Sequence, residues 1–418
     1  MTAPRLPALV AFLVLGAALV ALLALTTPWH PLGANAPRVA ADVHRDFTPA
    51  EIARENAFHR QTRPPGYAAV VLGLVAAAVL GLTPLGAKVV ERLGRGPWPV
   101  RAAIGGLALA LFPRLLTVPL DARTEVVLRR YGLSTQTWAG WAVDQAKGAL
   151  VGSVLVVVAT VGLVGIARVA PRTWWAWGAL AAAALVCVVS YAYPVVVEPL
   201  FNHFTPLPAG PLRTELLGLA DRAGVPVKEV LVADASRRTT ALNAYVSGYG
   251  STRRIVLYDT LLNDASPKEV ELVVAHELGH VKHHDVRNGT VAGALGAAAA
   301  VAGLYLLLTS PALLRRAGAD GPSDPRVLGL VLFAIAAATL LTSPAQCLVS
   351  RRIEARADVH SLDLTGDVDT FVASEKRLAV TNLSDLDPDP VTYAFFFTHP
   401  TSPERIALAR AWGEQHAG

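Results

Sequence analysis

Cysteine is nearly missing from this chain, with only Cys187 and Cys347 among 418 residues. Both sit in apolar runs and read as small packing residues, so a disulfide framework and a thiolate metal site are both excluded. Charge is scarce too. Asp, Glu, Lys and Arg make up 17% against 53% hydrophobic residues, a balance unlike that of an ordinary water-soluble enzyme. No fixed-period repeat or low-complexity tract stands out beyond alanine-rich stretches, where Ala and Gly permit close approach of backbones. The net charge of +5 and pI near 9.3 would suit nucleic acid. The positives gather in loops between apolar runs, however, so membrane orientation explains them better and no nucleic-acid partner is expected.

Long uncharged runs account for the hydrophobicity. They are 6–27, 67–87, 102–111 (extending through Arg114 to Leu120), 149–167, 174–197, 291–308 and 327–349. Seven runs of this kind predict a mainly α, polytopic membrane protein with seven transmembrane helices. Ala34-Asn35-Ala36 could end a cleaved signal peptide, but the first apolar stretch is long for one and Pro37 would follow the cut, so retention is expected. Arg114, inside the third run, is expected to snorkel or to find a structural partner. The loop after the fifth run holds 10 Lys and Arg and the C-terminal tail 7, against 1 before the first run and 3 after the sixth. That bias places the loop and tail in the cytoplasm of a cell whose Ala/Arg/Gly-rich composition looks bacterial. Four segments follow: 1–197 with five membrane helices, 198–289 polar enough to fold in water, 290–349 with helices six and seven, and 350–418 polar again. Two crossings return the chain to the side it left, so the polar segments share a compartment and are expected to form one α+β domain.

Within the first polar segment, 211–224 reads as a helix, 230–233 as a short buried strand, and 244–248 with 254–258 as strands around a Gly-rich turn. Then comes His276-Glu277-Leu278-Gly279-His280. On a helix, residues four apart share a face, so His276 and His280 can hold one zinc ion, with Glu277 placed to take a proton from a water the metal activates. Ser266, Pro267 and Glu269 form a capping-box signature that starts a helix where the motif needs one.

Catalytic zinc takes three protein ligands. The second polar segment reads as mainly helical, opening with a helix over 353–364 just after the seventh run; Glu354 at its start is a candidate third ligand, and Asp358 one turn later could fix a ligand histidine through a hydrogen bond. A solvated helix with paired charges would look the same. His283, His284 and Asp285 are rivals, but no turn separates them from His280, so interfacial or supporting roles are expected.

These motifs, together with Gly132–Thr137, Pro199–Leu207, Asn243-Ala244-Tyr245, Arg254–Leu262 and His399–Ile406, make the chain resemble the type I CAAX prenyl protease family of seven-helix membrane zinc endopeptidases. The resemblance implies seven helices enclosing a cavity, with a cytoplasmic zincin-like domain. It further implies Glu354 as third ligand, Asp358 as its supporting partner, His399 and Arg405 lining the site, and Asn243 anchoring substrate backbone beside an edge strand. Arg129, Arg130 and His360 depart from the family pattern and bear on loop pairing and substrate preference.

The expected activity is endopeptidase hydrolysis of membrane-associated peptides, with CAAX-type C-terminal processing as one form and membrane-protein quality control as another. A non-catalytic transporter or scaffold with structural zinc is the alternative from a different class. Retention of Glu277 beside a His-His-Glu set argues against it, since structural zinc sites are closed by four ligands. No segment is left over for the sensor domain a signal transducer would need.

Overall fold

The structure, a computed structural model, describes residues 5–248, 250 and 253–417. Among these, seven helical stretches are long and apolar enough to cross a membrane: Arg5–Thr26, Pro49–Leu82, Trp98–Arg130, Trp138–Val169, Trp174–Phe201, Asp285–Leu308 and Pro325–Thr365. Numbered with the shorter helices, among them α2 (Val43–Asp46), α4 (Leu85–Leu93), α10 (Asp259–Asp264) and α13 (Pro311–Ala317), they contain α1 (Arg5–Thr26), α3 (Pro49–Leu82), α5 (Trp98–Arg130), α6 (Trp138–Val169), α7 (Trp174–Ala192), α12 (Asp285–Leu308) and α14 (Leu328–Thr365). The fifth stretch runs on from α7 through a π-turn and the short α8 (Glu198–Phe201). Leu13, Val71, Leu150 and Leu341 are each more than half exposed, as expected of side chains that face lipid rather than water. Small residues close the bundle. A Cβ on Gly81 of α3 would lie 2.7 Å from the Gly329 carbonyl of α14, so the two backbones touch there.

Arg114 finds structural partners, as expected: Asp121, Thr117 at 3.3 Å and Gln145 at 2.6 Å. Arg129 pairs with Glu125 (2.7 Å) and lies over Trp138, while Arg130 donates to Gln61. The Gly132–Thr137 stretch docks on the loop before β3, with Thr135 donating to the Ser236 carbonyl at 2.8 Å.

The polar segments fold around a four-stranded sheet of order β1-β2-β4-β3, from β1 (Phe204–Pro206), β2 (Glu229–Ala233), β3 (Ala244–Ser247) and β4 (Arg254–Tyr258). β2 and β4 are parallel, and β3 is an antiparallel edge strand with Ala244 opposite Leu257. The Gly-rich turn between β3 and β4 falls partly outside the described residues. Helices α9 (Pro211–Arg222) and α11 (Pro267–Lys282) cover the sheet, burying Leu216, Leu219, Val230, Ile255, Leu257, Val274 and Leu278 in one core. Each such side chain contributes about 1.5–3 kcal/mol on leaving water. After α14 come α15 (Val368–Asn382), α16 (Pro390–Phe396) and α17 (Ser402–His416). Leu272 of α11 packs with Leu362, Phe371, Ala409 and Trp412, so residues on either side of the last two membrane helices share a core.

Two features differ from expectation. Glu354 does not open a new helix beyond the last span: α14 is one helix of 38 residues, about 57 Å long, that carries the chain out of the membrane and on past Asp358. No glycine, proline or cap interrupts 349–353; Arg351 and Arg352 end the apolar run without ending the helix. Strand β1 was not anticipated, because three residues flanked by prolines carry no alternation to read.

Candidate metal centre

Helix α11 begins as its sequence dictates. Ser266 caps it, with the Glu269 carboxylate accepting from Ser266 N at 2.7 Å and the Ser266 hydroxyl accepting from Glu269 N. Glu269 is also held by Arg377 at 2.7 Å. The helix then lies against α14 at a glycine. A Cβ on Gly279 would stand 3.2 Å from the Ala357 Cα and 3.1 Å from the His360 Cβ, so the middle of the motif lets the two helices approach. Ser361 of α14 donates to the Leu272 carbonyl at 2.8 Å and fixes the register.

That approach brings three groups together. His276 Nε2 lies 3.2 Å from Glu354 Oε2 and 3.2 Å from His280 Nε2, and His280 Nε2 is 3.6 Å from Glu354 Oε2. Each histidine is turned by a carboxylate on its other nitrogen: His276 Nδ1 meets Asp358 Oδ1 at 2.8 Å, and His280 Nδ1 meets Asp285 Oδ2 at 3.0 Å. A carboxylate at Nδ1 selects the tautomer with the proton there, which leaves both Nε2 lone pairs and a carboxylate oxygen facing one point. Such a donor set fits a cation. For metal–ligand bonds of about 2.0–2.1 Å in a tetrahedron, neighbouring ligand atoms lie about 3.3 Å apart, close to the three separations here.

The carboxylates around the two histidines favour their protonated forms. Burial alone would depress His276, but hydrogen bonds to Asp358 and Glu354 outweigh it and push the imidazole up to about 10. His280 is pushed up to about 9 in the same way, its burial outweighed by Asp285 and Glu354. Glu277 lies beside both histidines, with potential ligand atoms of the three residues within 4.8 Å of one another. Burial raises its carboxyl above the ordinary range, a direction that suits a general base.

Behind the histidines stands a charged layer. Asp358, fully buried, accepts from Arg405 Nε at 2.9 Å and from its Nη2, while Arg405 Nη1 reaches Glu375 at 2.8 Å. Asp285 is held by Arg356. In front lies a cavity of about 470 Å³ whose lining includes Asn243, His276, Glu277, Glu375, His399 and Arg405. His399 is exposed to it and stands 3.4 Å from Glu354. Asn243 precedes the edge strand β3, and Asn382 of α15 pins that entry by pairing with both Leu242 N (2.9 Å) and Leu242 O (3.2 Å).

Comparison with known proteins places this arrangement. Residues 206–413 match the model of peptidase family M48, and residues 67–203 match that of the CAAX prenyl protease N-terminal region with five membrane helices. An uncharacterised metalloprotease of Bacillus subtilis, YhfN, is 33% identical over 72% of this chain and 71% of its own length. This chain belongs to peptidase family M48. It is an integral-membrane metallopeptidase of the family's CAAX prenyl protease branch. A CAAX prenyl protease 1 homolog of Oryza sativa is 34% identical over 68% of this chain and 67% of its own length. The crystal structure of Ste24p from S. mikatae shares the fold, with a TM-score of 0.76 at 21% identity over 98% of this chain and 99% of that one.

Of the residues singled out in the sequence, His276, Glu277, His280, Glu354, Asp358, His399, Arg405 and Asn243 all converge on this cavity or the layer behind it. The rivals separate from one another. His283 packs edge-on against His360, and His284 turns the chain in a left-handed conformation (φ 60°) after α11 has ended. Only Asp285 returns, as the partner of His280. The sequence does not single out Glu375 or Asn382: Glu375 sits in the polar run Ser374-Glu375-Lys376-Arg377 and Asn382 follows Thr381, so neither is distinguishable from a solvated helix position.

Proposed function

We propose that this metallopeptidase is a zinc endopeptidase that cleaves membrane-associated peptides or proteins at the cytoplasmic face of a bacterial membrane. His276, His280 and Glu354 would hold the ion, which when bound supplies a Lewis acid for the scissile carbonyl and lowers the pKa of water. Glu277 accepts the proton of the attacking water and passes it to the leaving amine. His399, at the cavity side of Glu354, donates to the oxygen that becomes charged in the tetrahedral state. Arg405 has its guanidinium committed to Asp358 and Glu375, so its part is to hold Asp358, and through it His276, rather than to meet the substrate directly. Asn243, pinned at the start of an edge strand, offers its side chain to an extended substrate backbone.

The observation that carries this reading is the convergence of three lone-pair atoms at tetrahedral spacing beside a half-buried carboxylate that opens on a cavity. It favours catalysis over a structural-zinc scaffold. The charge asymmetry of the loops supports the cytoplasmic side, and the relatives named as CAAX prenyl proteases support C-terminal processing over general quality control. Stripping the detergent-purified protein with a chelator should abolish cleavage of quenched peptides, and zinc should restore it. Glu354→Ala should fail to recover activity and bind less than one zinc per chain. Full zinc occupancy in that variant would remove Glu354 from the ligand set.

A further inference from the structure

Glu375 is 4% exposed, on the face of α15 that also presents Phe371, Ser374, Leu378 and Asn382 to the cavity, at helical spacing. Its Oε1 accepts from Arg405 Nη1, but its Oε2 is buried with no hydrogen-bond partner. Arg405 does not serve that oxygen, because its Nε and Nη2 are both given to Asp358. A buried carboxylate oxygen without a donor is costly and rare in folded proteins, so it marks a place where something else supplies the donor. Carboxylates also line the cavity wall. Glu277, Glu375 and Asp385 all line it, while the lining guanidinium, Arg405, is shared between Asp358 and Glu375, and Arg63 is paired with Asp385. Phe371 and Leu378 add apolar surface on either side of Glu375, which suits the methylene stem of a long cationic side chain.

We propose that the wall around Glu375 is a specificity subsite for a lysine or arginine of the peptide flanking the scissile bond, its charged head donating to Glu375 Oε2. This rests on the peptidase reading above. It makes Glu375 a residue that selects substrate as well as one that holds Arg405.

The test uses zinc-loaded, detergent-purified full-length protein and quenched peptides that carry Lys, Arg, norleucine or Gln at each position around the cleavage point. At one position Lys and Arg should be cut about tenfold or more faster than norleucine, the range for a hydrogen bond to a charged group. Glu375→Gln should shrink that ratio to about threefold or less, whatever it does to the absolute rates, since amide hydrogen bonds lack the charge assistance. A wild-type enzyme with no basic preference at any position would overturn the proposal, as would a Glu375→Gln enzyme slowed equally on every peptide. Should that variant fail to fold, Leu378→Lys, one turn along the same face, should suppress cleavage of the basic peptides and spare the norleucine ones; equal rates on both would again overturn it. Hydrolysis without basic preference defeats the subsite alone, whereas no hydrolysis of any peptide defeats the peptidase reading with it.

Discussion

Replacing Asp358 with alanine should damage the protein in two separable ways. The carboxylate has no exposed surface and serves three donors, His276 Nδ1 at 2.8 Å, Arg405 Nε at 2.9 Å and Arg405 Nη2. Its removal frees the His276 ring to turn and to change tautomer, and loss of such a supporting partner typically costs about 10–100-fold in metal affinity. It also leaves a buried guanidinium with Glu375 as its remaining counter-charge, a change worth about 3–5 kcal/mol when one partner of a buried pair is deleted. Asp285→Ala is the natural comparison. Asp285 supports His280 at 3.0 Å and meets Arg356, so the affinity loss should be similar but the stability loss smaller. Competition against a chromophoric chelator measures the first effect, and thermal unfolding of the metal-free proteins measures the second. Wild-type zinc affinity in Asp358→Ala, whatever its melting temperature, would refute the role given to Asp358.

The other outcomes concern pH and topology. In the metal-free protein the carboxylate partners push His276 up to about 10 and His280 up to about 9, above their unfolded values, so their stabilising contribution is complete below the unfolded range and fades as pH rises through that raised range. Zinc must displace those protons, so its affinity should climb with pH until that range is passed, and proton release on binding, read by calorimetry in buffers of different ionisation enthalpy, checks it. In a background lacking Cys187 and Cys347, single cysteines at Arg287 and Ser350 should be labelled from the cytoplasm, and one at Gly321 from the opposite side. Labelling of all three from one side would mean that α12 and α14 do not cross the membrane.

The membrane helices were legible because a bilayer imposes a length and a lack of charge that any run either meets or fails. The start of α11 was legible for an equally local reason, since Ser266 and Glu269 satisfy each other's backbone within four residues. The continuity of α14 is not legible because hydropathy reports where lipid stops, whereas the helix runs on past that point without a break. His283 and His284 look as available as His280 by spacing, yet the helix ends at Lys282 and takes them out of register. Asp285, by contrast, is brought back by that same turn. Arg377 and Asn382 show the opposite limit: they act across 108 and 140 residues of sequence, on Glu269 and Leu242, while Glu375 meets Arg405 on another helix, and no local pattern announces such pairings. Roles for His399 and Arg405 came from family resemblance; alone they are a turn histidine and a helix-start arginine.

Glu277 is assigned here as a base that takes no part in holding the metal, and Glu277→Gln separates those two roles. The substitution keeps the size and hydrogen-bonding reach of the side chain, and the groups proposed to hold zinc, His276, His280 and Glu354, are untouched. The purified variant should retain one zinc per chain by elemental analysis and cleave peptides at least about a hundredfold more slowly than wild type, the lower bound for losing a general base. Cleavage near the wild-type rate with zinc in place, or loss of the zinc itself, would contradict that assignment of Glu277.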